Sequence, residues 1–340
     1  MKWTAWRQQR SLIVAMTTVA AIAAVLLILL GRHESELWRN YLANPCKGNV
    51  RASTKYQNVC AGRLQAVLNV GQFNRIATIF GLLVGPLFGS ILGVNAVARE
   101  LEAGTTRLAW TQSYSRPRWL MSKLSVNGAF LAAIFVPLCL IYDWWNKVAH
   151  YSARISPSGF PISGFLPLIY SVVAFSSVVL LGLYLRRAGW SLVTGLLLIA
   201  VVVFAVEIGI RPILVSPQFA VVSSSELTQT SSSGFYSAGG IPSNSWSRGY
   251  GYAPKGIKVT PSAQMLSVYS NKLARCWNTL RGHSPGGYEY CIRHLRVENV
   301  ALYVPDSDFW NLQLSESAIY LGFALLLTAG SVVRLRRMLA

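Results

Sequence analysis

Charge is scarce in this sequence. Only 13% of its 340 residues are Asp, Glu, Lys or Arg, well under the roughly 25% of a soluble domain. Acids are scarcer still, 12 against 31 bases. No Walker A loop is present. The only Gly–Lys neighbours, Lys47–Gly48 and Lys255–Gly256, run in the wrong order with no Ser or Thr behind them, which excludes a P-loop ATPase. CxxC and HExxH do not occur, so metal ligation has no support. The histidines, His33, His150, His283 and His294, stand in no triad pattern and read as loop residues.

Apolar runs fill the space that charge leaves. Hydrophobic residues make up 53% of the chain and the mean hydropathy is +0.40. Residues 11–30, "SLIVAMTTVAAIAAVLLILL", hold no charge. As a helix they would reach about 30 Å, the thickness of a hydrocarbon core. This run exceeds the apolar part of a signal peptide, so it is read as an uncleaved anchor. Further spans are expected at 76–97, 124–142, 163–185, 190–210 and 317–333. The fold class is therefore an all-α integral membrane protein of six transmembrane helices. The net charge of +19 is scattered over membrane-flanking loops without an aromatic-lined groove. Attraction to anionic lipid explains it better than nucleic acid does.

Six spans place both termini on one side. The termini, the 98–123 gap and Arg186–Arg187 hold 13 of the 31 bases, so the raw count opposes cytoplasmic termini. The positive-inside rule applies to short loops, however. The turn "RRAG" at 186–189 and the tail "RLRRMLA" are densely basic without an acid and argue for termini inside. The 31–75 gap, with seven bases and two acids, fits this less well.

Cysteine placement supplies a second argument. Cys46 and Cys60 share the first loop, Cys276 and Cys291 the last, and Cys139 sits inside span three. Two spaced pairs in loops on one side suggest disulfides and an oxidising exterior, with free thiols as the alternative. Pairing within each loop would close rings of about 15 residues, worth about 3 kcal/mol through the unfolded chain.

The chain divides into a bundle at 1–210, a region at 211–316 and a sixth span with a basic tail at 317–340. The bundle carries an outer loop at 31–75 and an elbow at 98–123. Ser, Gly, Tyr and Pro dominate the start of 211–316, which reads as irregular surface chain. "TPSAQMLSVYSNKLARCWNTL" then looks helical, with Met265, Val268, Leu273 and Trp277 along one side. "YEYCIRHLRVENVALYVP" fits strand or helix. The whole reads as a small mixed extracytoplasmic cap between spans five and six.

Three polar or small-residue patterns lie in or beside the spans. Gly81, Gly85, Gly89 and Gly93 recur every fourth residue, stacking on one helix face where another backbone can approach. The partner could lie in this chain or in a second copy. Glu207 and Arg211 are four apart near the outer end of span five, the spacing of an interfacial ion pair. Asp143, Trp144 and Trp145 read as the end of span three, anchored by interfacial tryptophans.

The elbow is the most composed stretch: "ARELEAGTTRLAWTQSYSRPRWLMSKL", Ala98–Leu124. Gly104 permits a turn, Thr105 or Thr106 could cap a short helix, and Pro117 ends or restarts helix. Periodicity takes it only to an amphipathic turn at the cytoplasmic surface. This stretch resembles the signature of ABC-2 type transporter permease subunits, especially actinobacterial ones. "DFWNLQLSESAIYLGFALLL" at 308–327 is similar to that family's aromatic-Gln-Glu entry into span six.

The resemblance implies a division of labour. Two permease subunits pair, as a homodimer or heterodimer, in a bacterial plasma membrane with cytoplasmic termini. Two separate ATP-binding subunits dock below them. ATP and Mg belong to those partners, and this chain holds no cofactor and no metal. Glu100, Glu102, Thr105, Thr106, Arg107, Trp110 and Gln112 match the coupling region, with Arg116 and Arg118 at the membrane edge. The implied function is export of a hydrophobic or amphipathic compound, such as an antibiotic or lipid, and not an enzymatic reaction. A membrane receptor or sensor using 211–316 to hold a ligand is the alternative.

Overall fold

The computed structural model describes residues 2–42, 54–104, 116–149, 154–222, 245–280 and 287–337. The chain forms two compact units. One comprises residues 1–151, 158–211 and 313–340, the other 152–157 and 212–312.

The first unit is an all-α membrane bundle. Among the described residues six helices are long and apolar enough to cross a membrane, namely Arg10–Asn40, Arg75–Glu102, Pro117–Val148, Leu166–Leu185, Ala188–Leu214 and Asp306–Arg337. They belong to α1 (Lys2–Leu42), α2 (Thr54–Gly93), α3 (Arg116–Ala149), α4 (Leu166–Leu185) and α5 (Ala188–Ala205), with α8 (Phe309–Arg337) as the sixth. Most helices outrun the apolar stretches that announce them. Helix α1 continues through "GRHESELWRNYL" to Leu42 and α2 starts at Thr54, so much of the expected 31–75 loop is helical. Leu, Glu and Arg are good helix formers, and Arg39 Nε donates to the Ser35 carbonyl at 3.3 Å. Hydropathy marks the thickness of lipid, whereas propensity and proline decide where a helix stops. Helix α3 likewise begins at Arg116, with Pro117 in its first turn, where proline costs no hydrogen bond.

Helix α4 is the buried centre, and the glycine face of α2 lies on it. A methyl group added at Gly85 would fall 2.5 Å from the Pro167 carbonyl oxygen, at Gly89 2.0 Å from that of Ser171, and at Gly93 2.9 Å from that of Phe175. The fourth glycine, Gly81, meets the ring of Tyr142 on α3 instead, and that hydroxyl donates to the Ala77 carbonyl at 3.0 Å. The glycine partner is thus inside the chain. Beside this contact Phe88, Leu92, Leu131, Phe135, Val179 and Leu183 form one apolar core. Cys139 is buried in α3 without a disulfide.

The tryptophan pair splits. Trp144 is exposed, but Trp145 is fully buried and packs edge-on to Tyr142 at 6.1 Å, in a cluster with Leu27 and Ile162. Adjacent helix positions point about 100° apart, so two neighbouring rings need not share one environment. Only Trp144 remains free for an interfacial role.

The second unit holds a three-stranded antiparallel sheet in the order β1–β3–β2. Its strands are β1 (Gln218–Val221), β2 (Trp246–Pro254) and β3 (Val297–Val304). Ala301 pairs with Ala220 on one side and Tyr250 on the other. Helix α6 (Ala263–Leu280) packs on β2, with Leu266 against Gly251. The buried residues of α6 are Leu266 and Leu273, while Met265, Val268 and Trp277 are exposed. The expected face was therefore rotated. Leu266 and Leu273, seven apart, share a side with Tyr269, Cys276 and Leu280. The Cys276–Cys291 disulfide joins that side to α7 (Gly287–His294). The segment that fitted strand or helix is both: α7 ends at His294, Arg296 turns with φ 49°, and β3 follows. In α7 and β2, Tyr288 and Tyr252 share a hydrogen bond. Burial, and then that bond, push the Tyr252 phenol above its ordinary value. Cys60 is disulfide-bonded as well, and Cys46 lies outside the described residues.

Gly89→Ala is expected to destabilise the bundle by about 1–3 kcal/mol, the usual cost of overpacking, because its methyl group meets a backbone carbonyl that cannot rotate away. Gly62→Ala, with nothing within 4 Å, should be neutral or stabilising. Unfolding of both variants in detergent mixtures measures the difference.

Candidate functional site

Two polar clusters stand out in the membrane unit. The first is the base of the elbow. Helix α2 passes through a π turn, Val94–Ala98, into a last helical turn, Arg99–Glu102. π turns are uncommon and gather at functional places. Asn95 Nδ2 donates to the Ile91 carbonyl at 2.8 Å, and Arg99 Nη1 donates to Asn95 Oδ1 at 3.0 Å. Ala98 packs against Gly182 of α4. Gly104, with φ 70°, then leads the chain out of the helix.

The two glutamates of that turn are engaged within the chain. Glu100 pairs with Lys123 of α3, whose side chain is only 7% exposed and lies over the Trp119 ring, 5.0 Å from its centre. The Glu102 carboxylate accepts the Ala188 N–H at 2.9 Å, at the start of α5. The N-cap of α5 is Arg187, which makes no side-chain cap. Glu102 therefore caps α5 from a different helix, and its charge suits the positive helix end. Between α4 and α5, Arg186 turns the chain with φ 54° and donates its N–H to the Gly182 carbonyl at 3.0 Å. Glycine is usual at such a helix end, and a side chain there costs about 1–2 kcal/mol.

The remaining residues of the coupling match, Thr105, Thr106, Arg107, Trp110 and Gln112, lie outside the described residues. Arg118 is exposed on the first turns of α3. Lys123 was not anticipated. Its signal was a lone Lys at the mouth of an apolar span, with acids across the elbow.

The second cluster surrounds Arg211, which is 2% exposed. It follows the π turn Val206–Ile210 at the end of α5. The expected contact exists: Arg211 Nη1 lies 3.2 Å from Glu207 Oε1. The dominant partner is Glu316 of α8, fully buried. It accepts from Nε at 2.6 Å and from Nη2 at 3.3 Å, the two-pronged geometry that suits a guanidinium. The Phe160 ring covers the guanidinium at 4.9 Å.

One turn earlier on α8, Gln313 Nε2 donates to the Ser163 carbonyl at 3.0 Å. Asn146 Nδ2 reaches Ser163 Oγ at 3.3 Å, and the Gly164 N–H donates to Asp143 Oδ1 at 2.9 Å. Gly164 has φ 63°, and an added methyl group there would lie 2.5 Å from Gln313 Nε2. The turn before α4 is thus pinned by α3 and α8, and α8 is pinned to α5. Asp143 serves this turn rather than merely ending a span.

Among the described residues no group of three or more His, Cys, Asp or Glu is placed to hold a metal. The string Gly282–Gly286, "GHSPG", fits a Gly-x-Ser-x-Gly pattern, but a nucleophile elbow needs a strand before it, and α6 is the element that precedes these residues.

A sequence profile described as ABC-2 membrane transporter related matches residues 16–211. The chain belongs to this family. No curated protein and no solved structure matches it. The matched segment starts within α1, runs through α5 and ends at Arg211 itself, so the elbow lies within it and Gln313 and Glu316 beyond it. As an ABC-2 protein the chain is a multi-pass membrane permease, a transport component and not an enzyme.

The charged clusters differ in what their loss should do. Glu316→Gln leaves a buried guanidinium without its main counter-charge and is expected to cost about 3–5 kcal/mol. Glu207, 39% exposed, should cost about 1 kcal/mol or less as Gln, in the range of exposed pairs. Unfolding of the two purified variants side by side checks both.

Proposed function

We propose that this chain is the membrane-spanning subunit of an ATP-driven exporter. Two copies, or this chain and a second permease, would form the passage, and two separate ATP-binding subunits would bring ATP and Mg. The substrate is a hydrophobic or amphipathic compound, such as an antibiotic or lipid, leaving a bacterial plasma membrane. The short basic turn at Arg186–Arg187 and the basic tail support cytoplasmic termini. The Cys276–Cys291 pair supports an oxidising exterior for the region 211–316.

The observation that carries this reading is the base of the elbow. Glu100 reaches α3 and Glu102 reaches α5, while Ala98 lies against α4. A force arriving at 98–123 would be delivered to four membrane helices at once. ATP binding would favour one of two bundle conformations through different contacts in each. In this reading Thr105, Thr106, Arg107, Trp110 and Gln112 dock the partner. Glu100 and Glu102 transmit from behind that docking surface.

These two roles separate experimentally. Arg107→Glu with Trp110→Ala should lower recovery of the ATP-binding subunit with the tagged permease by about tenfold or more, the loss of a single strong interface residue. Glu102→Gln should keep the subunit bound and lower transport-linked ATP hydrolysis. Full recovery of the subunit with the docking variant would refute the elbow assignment.

A further inference from the structure

We infer that the basic end of α8 is a seat for one anionic phospholipid, with Arg334 and Arg337 on its phosphate and Tyr184 of α4 beside it. Such a seat is independent of what the chain transports.

Depth in the membrane comes first. Arg334 is the first charged residue after the apolar run 317–333, and Tyr184 stands two residues before Arg186, the first charge after α4. Both therefore lie at the level where interfacial aromatics and basic side chains meet the headgroups. The two helices touch up to that level. Thr328 Oγ1 donates to Ser176 Oγ at 3.4 Å, and a methyl group added at Gly330 would lie 3.6 Å from the Leu180 side chain. One turn further along each helix, the Arg334 guanidinium covers the Tyr184 ring, 4.5 Å from its centre.

The charge at this end has a direction. Leu335 is fully buried in the bundle core, so Arg334 and Arg336 leave α8 on opposite flanks. Arg337, three residues after Arg334, shares its side, and Arg336, two residues after it, does not. Arg336 and Arg337 are exposed, while the Arg334 Nε is buried without an acceptor. Among the described residues none of the three makes an ion pair, and no acid occurs between 317 and 340. Basic residues in a last helical turn also offset the helix dipole. Any side chain in the turn does that, however, and none needs a ring beneath its guanidinium.

A phospholipid has the matching parts. Two guanidiniums on one flank suit the oxygens of one phosphodiester, and basic pockets between membrane helices are where anionic headgroups bind. Toward the membrane interior the flank of Arg337 carries Val333 and Leu326, both exposed. They offer acyl chains a track that a soluble phosphate would not use. A zwitterionic headgroup would bring an ammonium with no carboxylate here to receive it.

The test titrates the purified full-length chain with phosphatidylglycerol or with phosphatidylcholine and counts the retained lipids by native mass spectrometry. Phosphatidylglycerol should be retained in preference. R334Q and R337Q should each weaken that retention about fivefold, the loss of one basic contact at a headgroup, whereas R336Q, with the same change in net charge, should leave it within about twofold. Arg337 is exposed, so R337Q against R336Q decides the matter even where R334Q fails to fold. Equal losses from R336Q and R337Q would reduce the seat to diffuse attraction and overturn the inference, as would equal retention of the two lipids. Displacement by an equal concentration of glycerol 3-phosphate would make this a site for soluble phosphate and overturn it too. In native membranes a benzophenone amino acid at position 333 should capture lipid. Capture of protein alone would assign these arginines to a partner chain and overturn the inference.

Discussion

The bundle depends on the contact between α2 and α4. In lipid, apolar side chains gain little by meeting each other, so helices associate where their backbones can come close. Gly85, Gly89 and Gly93 make that possible by leaving room for the carbonyls of Pro167, Ser171 and Phe175. Once α2 lies in this groove the rest is constrained. At one end Ala98 meets Gly182 and Glu102 comes within reach of Ala188. Toward the other end the start of α4 is held, and with it the turn that Gln313 and Asp143 secure.

The charges obey the same economy. A charge removed from water is strongly destabilising without a partner. Lys123 has Glu100, and Arg211 has Glu316. Each pair ties two different helices, so these buried charges act as joints. Both clusters border a π turn, Val94–Ala98 or Val206–Ile210. A permease performs no bond chemistry of its own. In the proposed function its work is to convert a push on one surface into a rearrangement of packed helices, and these joints are where that push would pass between helices.

What was legible in the sequence follows from distance along the chain. The glycine spacing and the Glu207–Arg211 contact are local, repeating at one turn, and the composition of the elbow is visible as a string. Glu316 as the main partner of Arg211 was not visible, because 105 residues separate them. Lys123 opposite Glu100 was hidden for the same reason. Helix ends at Leu42 and Arg116 escaped because polar helix beyond the lipid carries no hydropathic mark. The face of α6 was misjudged because Met265, Val268 and Trp277 are as apolar as Leu266, and only the sheet and the disulfide choose between them. Trp145 shows that an aromatic beside an aromatic need not share its role.

The proposed coupling requires the elbow base and the α4–α5 turn, joined by the Ala188–Glu102 bond, to move as one body when the partner subunits bind ATP. Spin labels at Ala103 and Gly189, both exposed, measure it in the assembled transporter. The distance between them within one chain should stay the same and equally narrow with and without ATP, while the distance between the two Gly189 positions of a paired homodimer, or between Gly189 and the second permease, changes. A shift or broadening of the 103–189 distance on adding ATP would contradict the account.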